Sequence, residues 1–200
     1  MKLILLRHGQ SLWNLENRFT GWRDVELSEA GMAEARMAAF QLKNIQVDLA
    51  FTSKLSRAQH TLQIIRETNG WVDLPILMDV ALNERRYGEL EGLNKADTAL
   101  KYGEQQVQLW RRAFADAPPK GESLQDTYNR VIPYFKSFIL PQLQKSMNVL
   151  VVAHGNSLRA LIMYLENLTP DCIVKREIPT AVPSVYDFSY DQLRNFSGKD

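Results

Sequence analysis

"LLRHGQS" (residues 5–11) and "VVAHGNS" (residues 151–157) lie near opposite ends of the chain and are laid out alike. In each, aliphatic residues run into a histidine, a glycine follows, and a serine stands two places beyond it. The chain has three histidines, and this arrangement uses two of them, His8 and His154. The flanking runs "KLILL" (2–6) and "NVLVVA" (148–153) are short and continuously apolar, as strands buried on both faces of a parallel sheet are. Each histidine then stands just past the carboxyl end of a strand, where open α/β sheets bind their ligands. If the two strands are neighbours, both imidazoles face one crevice. Gly9 and Gly155 allow a tight turn there and a close approach of backbone to ligand. Helices starting near Ser11 and Ser157 would aim their first amides at an anion.

The rest of the chain supports this architecture. "DLAFTS" (48–53) reads as a third strand and "SVYDFS" (184–189) as an edge strand. Ser28 is placed to cap a helix over 29–42, with Glu29 favourable to its dipole. Ser53 is placed to cap a helix over 54–68 with an apolar stripe of Leu55, Ala58, Leu62 and Ile65. Ser123 and Asp126 form a capping-box pattern. After it Leu124, Tyr128, Val131, Phe135 and Phe138 recur at helical spacing and predict one buried face. Pro133 should kink that helix and Pro141 should end it. Another helix follows the second His-Gly over 157–168. Strands alternating with helices predict an α/β fold of three layers, a mostly parallel central sheet flanked by helices, in a single domain over residues 1–200.

Composition narrows the function. A net charge of +1 gives no basic face for nucleic acid, so an anionic ligand needs cations gathered locally. No apolar run reaches the roughly 18 residues of a membrane span, and "LILL" is too short for a secretory signal, so a cytoplasmic protein is expected. The single cysteine, Cys172, excludes an internal disulfide and reads as a half-buried small residue. His60 reads as a packing or surface residue.

Two histidines can bind a metal, but no third ligand stands at zinc spacing, and the surroundings of His8 are cationic and hydrogen-bonding: Arg7, then Ser11 and Asn14. That setting suits a phosphoryl group. It also holds down the pKa of His8, which must be neutral to attack phosphorus. His8 is therefore expected to form a phosphohistidine, with His154 and arginines holding the equatorial oxygens.

Longer stretches carry a resemblance. "LRHGQSLWNLENRFTGWRDVELSEAG" (6–31), "TSKLSRAQHTL" (52–62), "LNERRYGELEGLNKAD" (82–97), "QLWRRAFADAPP" (108–119), "ESLQDTYNRVIPYF" (122–135), "AHGNSLRALIMYL" (153–165) and "IPTAVPSVYDF" (178–188) closely resemble, in order, the motifs of the cofactor-dependent phosphoglycerate mutases, within the histidine phosphatase superfamily. The resemblance implies interconversion of 3- and 2-phosphoglycerate, primed by 2,3-bisphosphoglycerate and without a metal, by a monomer or homodimer. It makes His8 the phosphorylated residue, with Arg7, Arg57 and His154 around the phosphate and Glu84 as proton donor. Ser11, Asn14, Thr20, Gly21, Arg85, Arg86, Tyr87, Lys95, Arg111, Arg112, Gly155 and Asn156 become substrate contacts. A phosphoglycerate carries two anionic ends, and Lys95, Arg111 and Arg112 can supply the second set of cations. Proton donation by Glu84 requires burial to raise its pKa. Gln10 stands where the family usually has glutamate, Arg86 where histidine is usual, and the loop between "DAPP" and "ESL" is reduced to "KG".

Overall fold

The computed structural model describes residues 1–197. In chain order the elements are β1 (Lys2–Arg7), α1 (Leu12–Leu15), α2 (Glu29–Leu42), β2 (Leu49–Thr52), α3 (Ser56–Asn69), β3 (Ile76–Met78), α4 (Lys95–Tyr102), α5 (Glu104–Arg112), α6 (Leu124–Tyr134), α7 (Leu140–Gln144), β4 (Val149–Ala153), α8 (Gly155–Glu166), α9 (Pro170–Ile173), β5 (Ser184–Asp187) and α10 (Tyr190–Ser197). The strands form one sheet in the order β3-β2-β4-β1-β5, parallel except for β5 at one edge. It is the expected mostly parallel sheet with helices on both faces.

Alternation along the strands divides the core. Leu3, Leu5, Phe51, Val149 and Val151 pack with residues of α6, α7, α8 and α10 on one face. Ile4, Leu6, Ala50, Leu150 and Val152 pack with Ala38, Ala39 and Leu42 of α2 and Ala58, Leu62 and Ile65 of α3 on the other. Burying each Leu, Ile or Phe side chain stabilises the fold by about 1.5–3 kcal/mol relative to leaving it exposed.

β1 and β4 are the central pair, with Leu3 opposite Val149 and Arg7 opposite Ala153. The pairing runs past the strand ends, where His8 N donates to the Ala153 carbonyl at 3.0 Å. This register brings the two His-Gly corners side by side. Gly9 is needed for a close approach: a Cβ there would lie 2.2 Å from the Gly31 carbonyl oxygen in the first turn of α2.

Several local expectations are corrected. α2 spans 29–42 with Ser28 as its cap, but α3 begins only at Ser56. Ser53 does not cap it through a helix amide bond of the usual kind; its hydroxyl is turned toward His154. The Ser123–Asp126 capping box is present. Pro133 lies inside α6, and a π-helical segment over Phe135–Ile139 follows, because the ring removes an N–H and the ladder widens by one residue. The extra residue rotates the stripe, so Ile139 is fully buried and Phe138 is 54% exposed. Pro141 starts α7 instead of ending a helix, since a first-turn N–H has no partner to lose. β3 escapes sequence reading because three residues carry no periodicity. Cys172 is exposed. Among the described residues no helix is long and apolar enough to cross a membrane.

Candidate active site

The carboxyl ends of β1 and β4, the first turn of α8, the loops after α1 and after Leu82, and the ends of α4 and α5 line an open cleft. His8 lies in the lining, and the His154 ring packs behind it, outside the lining itself, with ring centroids 4.9 Å apart. Both are buried, at 3% and 0% exposure.

Local bonds fix the state of each ring. His8 Nδ1 is 2.7 Å from the Gly9 carbonyl oxygen, which can only accept, so Nδ1 carries the proton and Nε2 keeps its lone pair. Burial lowers the His8 pKa well below its ordinary 6.5, and the Arg57 and Arg7 guanidiniums lower it further. The ring is a neutral imidazole at physiological pH. His154 is held down by the same causes, burial first, then Arg57, His8, Arg7 and Arg130. Its Nε2 meets Ser53 Oγ at 2.8 Å, and that oxygen also accepts from Leu55 N. That leaves the Ser53 hydroxyl its proton to donate to Nε2, the arrangement in which Nδ1 carries the ring proton; Nδ1 is buried and has no partner.

The arginines are braced by backbone. Arg7 Nη1 donates to the Ile178 carbonyl at 2.8 Å. Arg57 Nη2 and Nη1 donate to the carbonyls of Gly21 and Arg23 at 2.9 and 3.0 Å. In both residues Nε is buried and unpaired, as is Thr20 Oγ1. Buried donors without partners are costly. A phosphoryl group, rich in acceptors, could satisfy those beside the cleft; Ser56 Oγ and Arg85 Nε and Nη1 are unpaired as well. Burial lowers the Arg57 pKa to about 10, partly offset by Glu84, Asp24 and Glu91, so its charge persists.

Glu84 departs from expectation. Burial pushes its carboxyl up, but the Arg85 backbone N–H, the Arg7 and Arg57 guanidiniums and the Asn156 side chain together hold it below its ordinary 4.5. Its Oε1 accepts from Arg85 N, Asn156 N and Asn156 Nδ2 at 2.8, 3.1 and 3.0 Å, which leaves Oε2 for a proton. The resting carboxyl is thus ionised, a base, because hydrogen bonds and cations outweigh desolvation.

Asn14, Thr20, Gly21, Tyr87, Lys95, Arg111, Arg112, Gly155 and Asn156 all line the cleft with Arg7, His8, Arg57 and Glu84. Three expected contacts do not. Ser11 is buried as the cap of α1, accepting from Asn14 N. Arg85 is fully buried behind the wall, where Nη2 donates to Tyr87 Oη at 3.1 Å and to the Arg111 carbonyl at 2.8 Å. Arg86 is exposed and stacks on Trp22, 3.8 Å from the ring centroid. Gln10 also turns away, accepting from Ser28 Oγ, so both positions where a single residue departs from the family pattern fall outside the cleft. His60 is at the surface beside Glu26.

The structure adds Arg18, Phe19, Arg159 and Glu177 to the lining. Arg159 had a readable signal, standing one turn beyond Gly155 on α8. Arg18 and Phe19 lie inside a quoted motif. Glu177 had none, and its carboxylate binds Arg112 Nη2 at 2.7 Å.

Residues 3–196 match the family described as "Histidine phosphatase superfamily (branch 1)". The chain belongs to that superfamily. Within it, a 2,3-bisphosphoglycerate-dependent phosphoglycerate mutase of Bradyrhizobium sp. is 53% identical over 191 residues, covering 94% of this chain and 92% of that one. A phosphoglycerate mutase of Schizosaccharomyces pombe is 55% identical over 191 residues, covering 94% and 90%. Among solved structures, a mycobacterial glucosyl-3-phosphoglycerate phosphatase superposes with a TM-score of 0.83 at 29% identity, covering 96% of this chain and 93% of that one.

Proposed function

We propose that this chain is a phosphoglycerate mutase that interconverts 3- and 2-phosphoglycerate through a phosphohistidine at His8. The observation that carries the reading is a neutral imidazole whose Nδ1–H is fixed by the Gly9 carbonyl, presenting a nucleophilic Nε2 amid unpaired buried donors. Arg7, Arg57 and His154 bind the transferring group and stabilise the charge that develops on its oxygens. 2,3-Bisphosphoglycerate supplies the phosphoryl group that first loads His8. Lys95, Arg111 and Arg112 hold the far anionic end, with Arg18 and Arg159 beside them.

The ionised Glu84 takes the proton of the attacking hydroxyl when the phosphoryl group leaves His8, and returns it to the leaving oxygen in the reverse transfer. Its depressed pKa rests on the Arg85 backbone N–H first, and then on Arg7 and Arg57. A bound phosphoryl group neutralises those cations, which raises the Glu84 pKa when a proton must be held. The enzyme works in the cytoplasm, in glycolysis and gluconeogenesis, without a metal.

A phosphatase acting on small phosphomonoesters is the second reading, favoured by the superposed phosphatase. The far cations weigh against it, as does the higher identity to mutases. The deciding experiment measures mutase turnover with and without trace 2,3-bisphosphoglycerate while quantifying free phosphate. Primer-dependent turnover exceeding phosphate release is expected. Primer-independent release of phosphate without isomerisation would overturn the mutase reading.

A further inference from the structure

Glu84 sits on a segment with no regular strand or α-helix of its own, between the 3₁₀ turn Val80–Leu82 and the turn Gly88–Leu90. A carboxyl that exchanges a proton with substrate must nonetheless be held in place. The side chain that holds this segment is Arg130 of α6. Its Nη1 donates to the carbonyls of Ala81 and Asn83 at 2.8 and 3.0 Å, and its Nη2 donates to the carbonyl of Glu84 itself at 2.9 Å. The guanidinium is aimed by Glu122, which accepts from Nε and Nη2 at 3.1 and 2.9 Å. Trp22 Nε1 donates to the same Glu84 carbonyl, and Arg130 lies over the Trp22 ring, 5.7 Å from its centroid.

We infer that Arg130 is a positioning residue for proton transfer, acting through the Glu84 backbone and not through substrate. It does not line the cleft. Three carbonyls of one short segment converge on a single planar group, and a fork of fixed geometry can pin three acceptors as a flexible ammonium cannot. Leu82, fully buried, and Asn83, whose Oδ1 accepts from Lys54 N, anchor the start of the segment. Arg130 and Trp22 hold the Glu84 carbonyl, and two residues further on Glu122 pairs with the Arg86 backbone, Oε2 accepting from Arg86 N at 3.0 Å and Glu122 N donating to the Arg86 carbonyl at 2.8 Å.

This role rests on the mutase reading, and the test separates the two. Steady-state turnover is measured for the wild type, Arg130→Lys, Glu122→Gln, Glu84→Gln and the double variant Arg130→Lys/Glu84→Gln, with phosphorylation of His8 by 2,3-bisphosphoglycerate followed in each. Circular dichroism and thermal melts establish that each variant is folded. Absence of primer-dependent turnover in the wild type overturns the mutase reading itself. With an active wild type, Arg130→Lys should lower kcat by about 10- to 100-fold, the range of a misplacement of about 1 Å, while KM changes less than about twofold. Glu122→Gln, which leaves the fork itself intact, loosens its aim and weakens the acceptor of Arg86 N, should fall between Arg130→Lys and the wild type. In the Glu84→Gln background Arg130→Lys should cost almost nothing further, because the group it positions is already lost. Full additivity of the two substitutions, a wild-type kcat for Arg130→Lys, or a loss confined to KM would overturn the inference. Glu122→Gln gives the same reading if Arg130→Lys fails to fold, with wild-type kcat again overturning it.

Discussion

Ser53 and His154 share a hydrogen bond of 2.8 Å between Oγ and Nε2. Ser53 follows β2 and His154 follows β4, so the bond crosses between neighbouring strands and sets which nitrogen of the second histidine carries a proton. Replacing Ser53 by Ala frees that tautomer. The expected outcome is a fall of about tenfold in kcat/KM, the scale of one net hydrogen bond, with the fold retained. Steady-state assays of S53A check it; unchanged kinetics would show that the bond does not govern the donor.

Replacing His8 by Ala removes the cleft imidazole whose Nε2 keeps a free lone pair. Turnover should drop by about 10⁴-fold or more, and no acid-labile phosphoenzyme should form with 2,3-bisphosphoglycerate. Acid-quench trapping of labelled phosphoryl groups reads this directly.

Acid should destabilise the protein, and the two buried imidazoles say where. Their folded pKa values lie well below 6.5 because burial and neighbouring cations oppose protonation. Above pH 6.5 both folded and unfolded histidines are neutral and the linkage vanishes. As pH falls below 6.5 the unfolded chain binds protons that the folded chain refuses, so stability drops, by up to about 1.4 kcal/mol per pH unit for each ring. The loss ends once pH passes the depressed folded values. Glu84 acts in the same direction at lower pH: its contribution is present above 4.5 and is lost as pH falls through its lower folded value. Urea unfolding between pH 8 and pH 5 should show this slope, and His154→Gln should reduce it. An equal slope in both proteins would refute the assignment.

Gly9→Ala should destabilise by about 1–3 kcal/mol, since the new Cβ meets the Gly31 carbonyl, which is backbone and cannot swing aside. A denaturant midpoint equal to the wild type would show that α2 can move away from the histidine corner.

Glu177 occupies Arg112, a cation proposed to hold the far end of the substrate. Its carboxylate is largely exposed, at 72%, so its competition is weak. Glu177→Gln should lower KM by no more than about fivefold, the ceiling for an exposed ion pair. A raised KM would mean instead that Glu177 orients Arg112 for binding.

The primary sequence by itself determined four of the sheet's five strands, the two histidine corners and, through the family resemblance, the identity of most cleft residues. Continuous apolar runs ending in His-Gly leave few alternatives to buried strands with a ligand site beyond them. Ser28 and the Ser123–Asp126 box fixed helix starts because capping is a local bond between residues three apart. Tertiary structure alone decided three things. It drew Arg85 behind the wall and Arg86 onto Trp22, although both flank Glu84, because successive residues in an irregular segment point in different directions. It turned Ser53 from a cap into the partner of His154, because strand register brings together residues remote in the chain. And it made Glu84 a base at rest where burial alone implied an acid, because a carboxyl's pKa is set by the sum of desolvation, hydrogen bonds and neighbouring charge. Only a folded chain assembles all three around one oxygen.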